Sequence, residues 1–165
     1  MLGQRLTRQL ADGGPMIYWA TLEPRDMEDR AIVRRHLAER DGWGFETLER
    51  GRVLPEGLEL VPRESAVLFD SVTACLACQM FSGPQPDAAA AARTARELLT
   101  VSRHPRHFVC VCDELWRDGV TYEPWTEHYR RGLAEICRAL AVEFDAVAEL
   151  SAGCVRMWKG ELPDA

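Results

Sequence analysis

The stretch HFVCVC, residues 107–112, decides the fold class. Its side chains are apolar at positions that would face both sides of a sheet, as expected of a central strand in a parallel sheet covered on two faces. Two further short apolar runs, MIYWA at 16–20 and AVLF at 66–69, have the same character. The sequence therefore predicts an α/β domain whose central parallel strands are 16–20, 66–69 and 107–112.

Helical patterns separate these strands, which favours a mostly parallel sheet with helices on both faces. Asp87 is suited to start an alanine-rich helix that runs to about Val101, and Pro124 suits the first turn of an amphipathic helix. The remaining predicted elements are helices at 2–10 and 71–81, a short strand at 45–49, a loop or short helix at 51–64, and strands at 146–150 and 154–158. One domain over residues 1–165 is expected from the length.

Composition excludes several classes of function. The chain is 47% hydrophobic and 28% charged, and 20 basic against 26 acidic residues give a net charge of −6. An acidic chain without a basic patch offers no positively charged surface that would bind the phosphates of nucleic acid. No apolar run approaches the roughly 18 residues of a membrane span, and the N-terminal residues are too polar for a signal peptide. A cytoplasmic protein is expected.

The six cysteines favour buried structural thiols over a zinc site or a disulfide framework. Cys75 and Cys78 lie in an apolar run with no adjoining histidine, and Cys110 and Cys112 alternate as strand residues do. A cytosolic chain of this size also does not need disulfides. No zinc is expected.

The segment DMEDRAIVRRHLAERDGWGFETLE, residues 26–49, contains a candidate nucleophile, His36. If residues 26–40 form a helix, most of its apolar side chains share one broad face, and His36 lies on the opposite face beside Asp29, Ile32 and Arg40. A histidine there, four residues before Arg40, suits a nucleophile that takes a group from a phosphate ester while the guanidinium balances the anion. An ordinary surface histidine explains the same spacing.

Polar residues follow all three predicted central strands: Thr21 after the first, Asp70 after the second, and Asp113 and Glu114 after the third. Each of these is also a common turn or cap residue. Ligands of such sheets bind beyond the carboxyl ends of the strands, so the shared position indicates a binding edge. Carboxylates such as Asp70 and Glu114 there suit a hydrated Mg²⁺ ion, which one or two carboxylates hold together with phosphates and waters.

Short motifs along nearly the whole chain occur in the order and spacing of one known family. They are Tyr18-Trp19-Ala20-Thr21, His36 with Arg40, Phe45-Glu46-Thr47-Leu48-Glu49, Asp70-Ser71-Val72-Thr73, Asp113-Glu114-Leu115-Trp116, His128-Tyr129-Arg130 and the run from Val155 to Gly160. With these motifs the chain resembles the adenosylcobinamide kinase / adenosylcobinamide-phosphate guanylyltransferase family of cobalamin biosynthesis.

The resemblance implies a P-loop NTPase (RecA-like) fold, a homo-oligomer that is a trimer, and GTP as substrate with Mg²⁺. It implies phosphorylation of adenosylcobinamide, followed by transfer of GMP to the corrinoid phosphate through a histidyl-GMP intermediate. By the resemblance, His36 is the nucleophile. The residues around the guanine nucleotide are then Thr21, Arg40, Glu49 and Asp70.

The chain departs from the family at the phosphate loop. The family opens with a strand and Gly-x-x-x-x-Gly-Lys-Ser, and Gly3-Gln4-Arg5 stands where its last three residues are expected. Such a loop uses a lysine for phosphate charge and a hydroxyl for magnesium. Three interpretations therefore stay open: a divergent enzyme of cobamide assembly, a catalytically silent relative that binds a nucleotide, a corrinoid or a partner subunit, and an unrelated thiol or metal protein, which the cysteine pattern disfavours.

Overall fold

A computed structural model of the chain describes residues 2–23, 27, 42–115 and 119–163. Its elements are α1 (Leu2–Ala11), β1 (Met16–Ala20), β2 (Phe45–Glu49), a 3₁₀ helix (Leu54–Leu60), β3 (Ala66–Asp70), α2 (Val72–Phe81), α3 (Ala90–Val101), β4 (His107–Val111), α4 (Pro124–Glu143), β5 (Val147–Ser151) and β6 (Cys154–Lys159). The predicted helix over residues 26–40, with His36 and Arg40, lies outside the described residues apart from Met27.

Four strands form a wholly parallel sheet in the order β2-β1-β3-β4, which confirms the predicted fold class. The prediction that residues 107–112 form a central strand is wrong for this sheet, because β4 lies at its edge. Both faces of β4 are apolar because both are covered. Gly3 of α1 approaches Val111 on one face, and Phe144 packs against Phe108 on the other, with ring centroids 6.2 Å apart.

The main core lies between one face of the sheet and helices α2, α3 and α4. Alternate strand residues, among them Trp19 and Phe69, point into it and are fully buried, with their ring centroids 5.7 Å apart. The 3₁₀ helix closes this core, since a Cβ added at Gly57 would meet the Trp19 ring at 2.8 Å. Burial of this face fixes the register of the strands.

Helix α1 covers the other face of the sheet. Its buried residues Gln4, Thr7 and Ala11 follow the helical repeat, and the Thr7 hydroxyl donates to the Gly3 carbonyl at 2.8 Å. Gly3 lets the helix lie close to the sheet, because a Cβ there would meet Leu68 Cδ1 at 3.0 Å. Helices thus lie on both faces.

Capping residues set the helix ends. The Ser71 hydroxyl accepts from the Ala74 amide at 3.2 Å at the start of α2, and the Glu123 carboxylate accepts two amides at the start of α4. Helix α3 begins at Ala90, three residues after the predicted Asp87. The difference arises because the Asp87 carboxylate accepts from the Ala89 amide at 2.8 Å and so caps a turn that precedes the helix.

Strands β5 and β6 form an antiparallel hairpin after α4, as the last two apolar runs predicted. Every residue of β6 is exposed. The hairpin is tied to α4 by the Lys159 ammonium, which donates to the Ala141 and Val142 carbonyls at 3.1 and 3.0 Å. A cation is favourable there because the last carbonyls of a helix carry partial negative charge. None of the described helices is both long enough and apolar enough to cross a membrane.

Candidate active site

The carboxyl ends of the four parallel strands lie level with one another. Ala20 at the end of β1 pairs with Glu49 of β2 and with Asp70 of β3, and Asp70 pairs with Val111 of β4. Adjacent strands are about 4.8 Å apart, so Glu49 and Asp70 stand roughly 10 Å apart across β1. The structure therefore brings together three predicted site residues, with Thr21 directly after Ala20. Glu114, also predicted, is exposed three residues beyond Val111.

Thr21 is fully buried and fastens the end of β1 to the start of α2. Its hydroxyl donates to the Ser71 carbonyl at 2.7 Å and accepts from the Ser71 amide at 2.8 Å, while its own amide donates to the Asp70 carbonyl at 3.1 Å. The side chain presents no surface to a ligand. Thr21 thus fixes the backbone on which Asp70 stands.

Two thiols of α2 hold the loops that follow β1 and β2. Cys75 Sγ donates to the Gly51 carbonyl and Cys78 Sγ to the Thr21 carbonyl, each at 3.4 Å. Burial raises the pKa of the Cys75 thiol, so it stays a neutral donor. A structural role of these thiols, as the sequence predicted, follows from these contacts.

Gly51 is the point where these two loops touch. A Cβ added there would lie 2.4 Å from the Thr21 carbonyl oxygen and 3.3 Å from Cys78. Because the nearest atom is backbone, the G51A substitution must displace the loop, and we expect the free energy of unfolding to fall by roughly 1–3 kcal/mol. Urea titration measures this. The G83A substitution, in an exposed turn, is the control, and an equal effect of both would contradict the steric argument.

Tyr18 and Asp70 are joined directly. They lie on the same face of adjacent strands, and the phenol of the buried Tyr18 donates a hydrogen bond to Asp70 Oδ2. A phenol that holds one carboxylate oxygen fixes the direction of the other. Sequence reasoning missed this role of Tyr18, although the residue stands in one of the recognised motifs.

A cleft of about 310 Å³ opens between the ends of β1 and β2 and is lined by Glu23, Glu49, Arg50, Arg52 and Val53. Arg52 and Glu23 form a two-pronged ion pair across it, with Nε to Oε1 at 3.1 Å and Nη2 to Oε2 at 2.9 Å. This fork geometry suits carboxylate and phosphate recognition. Neither residue was predicted from the sequence. The pair is visible only once the two loops are placed side by side.

Arg130 organises the loop that follows β4 and carries Glu114. The residue is 8% exposed, and its guanidinium donates to the Leu115 carbonyl at 2.6 Å, the Val120 carbonyl at 3.0 Å and Glu127 Oε1 at 2.8 Å. The five-donor guanidinium can hold several partners at fixed angles. The sequence motif His128-Tyr129-Arg130 pointed to this residue without indicating what it does.

Metal-binding capacity is limited among the described residues. No group of three or more His, Cys, Asp or Glu side chains gathers there at a spacing that would hold a metal ion by itself. A magnesium ion held mainly by nucleotide phosphates needs fewer protein ligands, and a single oriented carboxylate such as Asp70 fits that requirement.

A parallel sheet with helices on both faces and a polar carboxyl edge defines an α/β protein, and this architecture is consistent with the P-loop NTPase type. A model of the family described as cobinamide kinase / cobinamide phosphate guanyltransferase matches residues 3–157, and the chain belongs to that family. A comparison with curated proteins found no match. Membership places the chain among the transferases of cobalamin biosynthesis that use GTP and act on cobinamide.

Proposed function

We propose that the chain transfers GMP from GTP to cobinamide phosphate through His36. A ring nitrogen of His36 attacks the α-phosphorus of GTP, an N–P bond forms, and the bond to the β-phosphate oxygen breaks with release of pyrophosphate. A phosphate oxygen of cobinamide phosphate then attacks the same phosphorus. The N–P bond breaks, the GMP is joined to the corrinoid, and the histidine is restored.

The observation that carries the proposal is the register that brings Glu49, Thr21 and Asp70 to one edge of the sheet. In sheets of this kind, ligands bind outside the carboxyl ends of the strands. The family match supports guanine nucleotide as the ligand of that edge. We assign Glu49 and Asp70 to the nucleotide and Thr21 to support of the edge, with Arg40 beside the phosphates.

Magnesium would neutralise the charge of the phosphates when bound, and we assign Asp70 and, from the loop after the neighbouring strand β4, Glu114 to it. The Tyr18 hydroxyl orients Asp70 for this role. The Glu23–Arg52 pair holds the start of the segment that leads to His36 against the loop after β2. The edge therefore supplies oriented oxygen ligands on one side and is closed by an ion pair on the other.

Incubation of the protein with α-labelled GTP and Mg²⁺ tests the proposal. We expect acid-labile, alkali-stable label on the protein, because phosphorus bound to a histidine nitrogen has that stability. Addition of cobinamide phosphate should then move the label to the corrinoid. Protein that acquires no label, with or without the corrinoid, would contradict the proposal.

The Y18F substitution should raise the Mg²⁺ concentration that gives half-maximal labelling by about tenfold, because the carboxylate of Asp70 loses the partner that fixes its direction. The labelling rate as a function of Mg²⁺ concentration measures this. The Y129F substitution is the matched control, since it also removes a phenol hydrogen bond, to the Thr73 carbonyl at 2.8 Å. An equal change of Mg²⁺ dependence in both variants would show a general loss of stability instead.

Several further properties, expected from the resemblance, the length and the composition, belong to the proposal. They are a homo-oligomer, with a trimer as the expected form, a cytoplasmic location and one domain over residues 1–165. A catalytically silent relative that binds a nucleotide, a corrinoid or a partner subunit is the second candidate. The observation that favours it is the burial of Gln4, at the position where the family has its phosphate-loop lysine.

A further inference from the structure

A second cavity lies away from the nucleotide edge, between α1, β6 and the residues after the hairpin. It has a volume of about 600 Å³, within the range of about 300–1,000 Å³ that small-molecule sites occupy. Its walls are mainly apolar. The apolar lining residues are Leu2, Leu6, Val155, Met157, Leu162 and Pro163, and the polar ones are Arg5, Gln9 and Glu161.

Helix α1 has two distinct sides, and only one of them packs on the sheet. At about 100° per residue, Leu2, Leu6, Arg5 and Gln9 share an arc of about 100°. The residues that pack on the sheet, such as Gln4, lie on the opposite side of the helix. The arc of α1 that lines the cavity therefore has no role in packing the sheet.

Strand β6 supplies the second wall. Val155 and Met157 alternate along it toward the cavity and keep 43% and 37% of their surface exposed. Trp158 lies on the other face of the hairpin, where its ring stacks on Arg156, with the guanidinium carbon 3.9 Å from the ring centroid. The apolar residues facing the cavity are thus left for a ligand.

Two opposite charges line the same cavity. Among the described residues, neither Arg5 nor Glu161 has an ion-pair or hydrogen-bond partner. A guanidinium offers donors only and a carboxylate acceptors only, so together they match a primary amide, which has both an N–H₂ donor and a carbonyl acceptor. An apolar ligand edged with amides suits this arrangement better than a phosphate, which Glu161 would repel.

We propose that this cavity binds the corrinoid substrate, an inference that rests on the proposed function. A corrinoid has apolar ring faces and a periphery of primary amides, which match the walls and the two charges. The cavity is also close to the nucleotide edge. It begins at Leu2, and the adjoining Gly3 lies against Val111, at the carboxyl end of β4. When one edge of the corrin ring lies in the cavity, the arm of the corrinoid that carries the phosphate extends along the carboxyl end of the sheet.

Equilibrium dialysis with dicyanocobinamide, followed by the visible absorbance of the corrin ring, tests the site. We expect the wild-type protein to bind, and both the M157R variant and the R5A/E161Q double variant to bind at least about tenfold more weakly, because a hydrogen bond to a charged group is worth roughly 1.5–3 kcal/mol. The double variant changes two exposed side chains and should keep the wild-type fold, checked by circular dichroism. The L60R substitution, at an exposed apolar position before β3 that does not line the cavity, is the control.

The outcomes separate the inference from the function on which it rests. If the wild type binds the corrinoid and both variants bind it with an affinity within twofold of the wild type, the cavity is not the corrinoid site. The proposal of GMP transfer would be unaffected. Conversion of an oligomer to a monomer by M157R, with unchanged corrinoid affinity, would assign the surface to a second copy of the chain and also overturn the proposal. Absence of corrinoid binding by the wild type would contradict both the corrinoid cavity and the proposed transfer of GMP to a corrinoid. Absence of labelling by GTP, with weakened binding in the variants, removes GMP transfer alone.

Discussion

The H36A substitution should abolish covalent labelling of the protein by α-labelled GTP. The proposed reaction passes through a phosphorus–nitrogen bond to this side chain, and alanine offers no nucleophile in its place. We expect a decrease of more than about 10³-fold, since the whole covalent route is lost. Acid-labile label retained on the protein after gel filtration is the measurement.

The H104Q substitution is the matched control. His104 lies in the turn before β4, at the other end of the sheet from Asp70, and its Nε2 contacts the Val61 carbonyl at 2.9 Å. It should label as the wild type does. Labelling that survives in H36A, or that disappears in H104Q alone, would remove His36 from the role of nucleophile.

Transfer of the γ-phosphate of GTP or ATP to cobinamide should stay near the uncatalysed rate. Phosphoryl transfer depends on positioning and on neutralisation of phosphate charge. By the resemblance, Gln4 stands where the family has its phosphate-loop lysine, and this residue is 4% exposed on the side of α1 that faces the sheet. The next residue, Arg5, lines the cavity beside β6. Loss of one preorganised charge stabiliser can cost about 10²–10³ in rate, and two are absent here.

Cobinamide-dependent release of GDP or ADP from residues 1–165 alone measures this second prediction. The labelling reaction with α-labelled GTP, run on the same preparation, is the control for active protein. Catalysed release in that preparation would show that another group supplies the charge. Release that appears only after a companion subunit is added would agree with the prediction and identify the source of the missing groups.

Local patterns in the sequence were sufficient to predict most of the elements. Each segment carries its own pattern of buried side chains, on one face or on two. This pattern was visible in the apolar runs at 16–20 and 66–69 and in the helical spacing after Pro124. The position of β4 in the sheet could not be obtained in this way. An edge strand covered by α1 and Phe144 has the same composition as a central one, so strand order depends on contacts that no single segment encodes.

The candidate site was predictable in its position but not in its roles. That Thr21, Glu49 and Asp70 meet at one edge follows from the parallel sheet. That Thr21 is buried, and that Tyr18 holds Asp70, depends on partners 50 and 52 residues away in the chain. A motif shows which residues occur together, whereas the hydrogen bonds show which of them support the backbone.

The double hydrogen bond between Thr21 and Ser71 restricts how the end of β1 and the start of α2 can move. The Ser71 amide is protected from solvent by a side chain, so its hydrogen can exchange only when the end of β1 and the start of α2 separate together. Such cooperative openings are rare compared with the fraying of exposed loops. Hydrogen exchange at the floor of the site should therefore be slow with or without nucleotide, and any rearrangement on binding should be confined to the rims, such as the exposed loop held by Arg130.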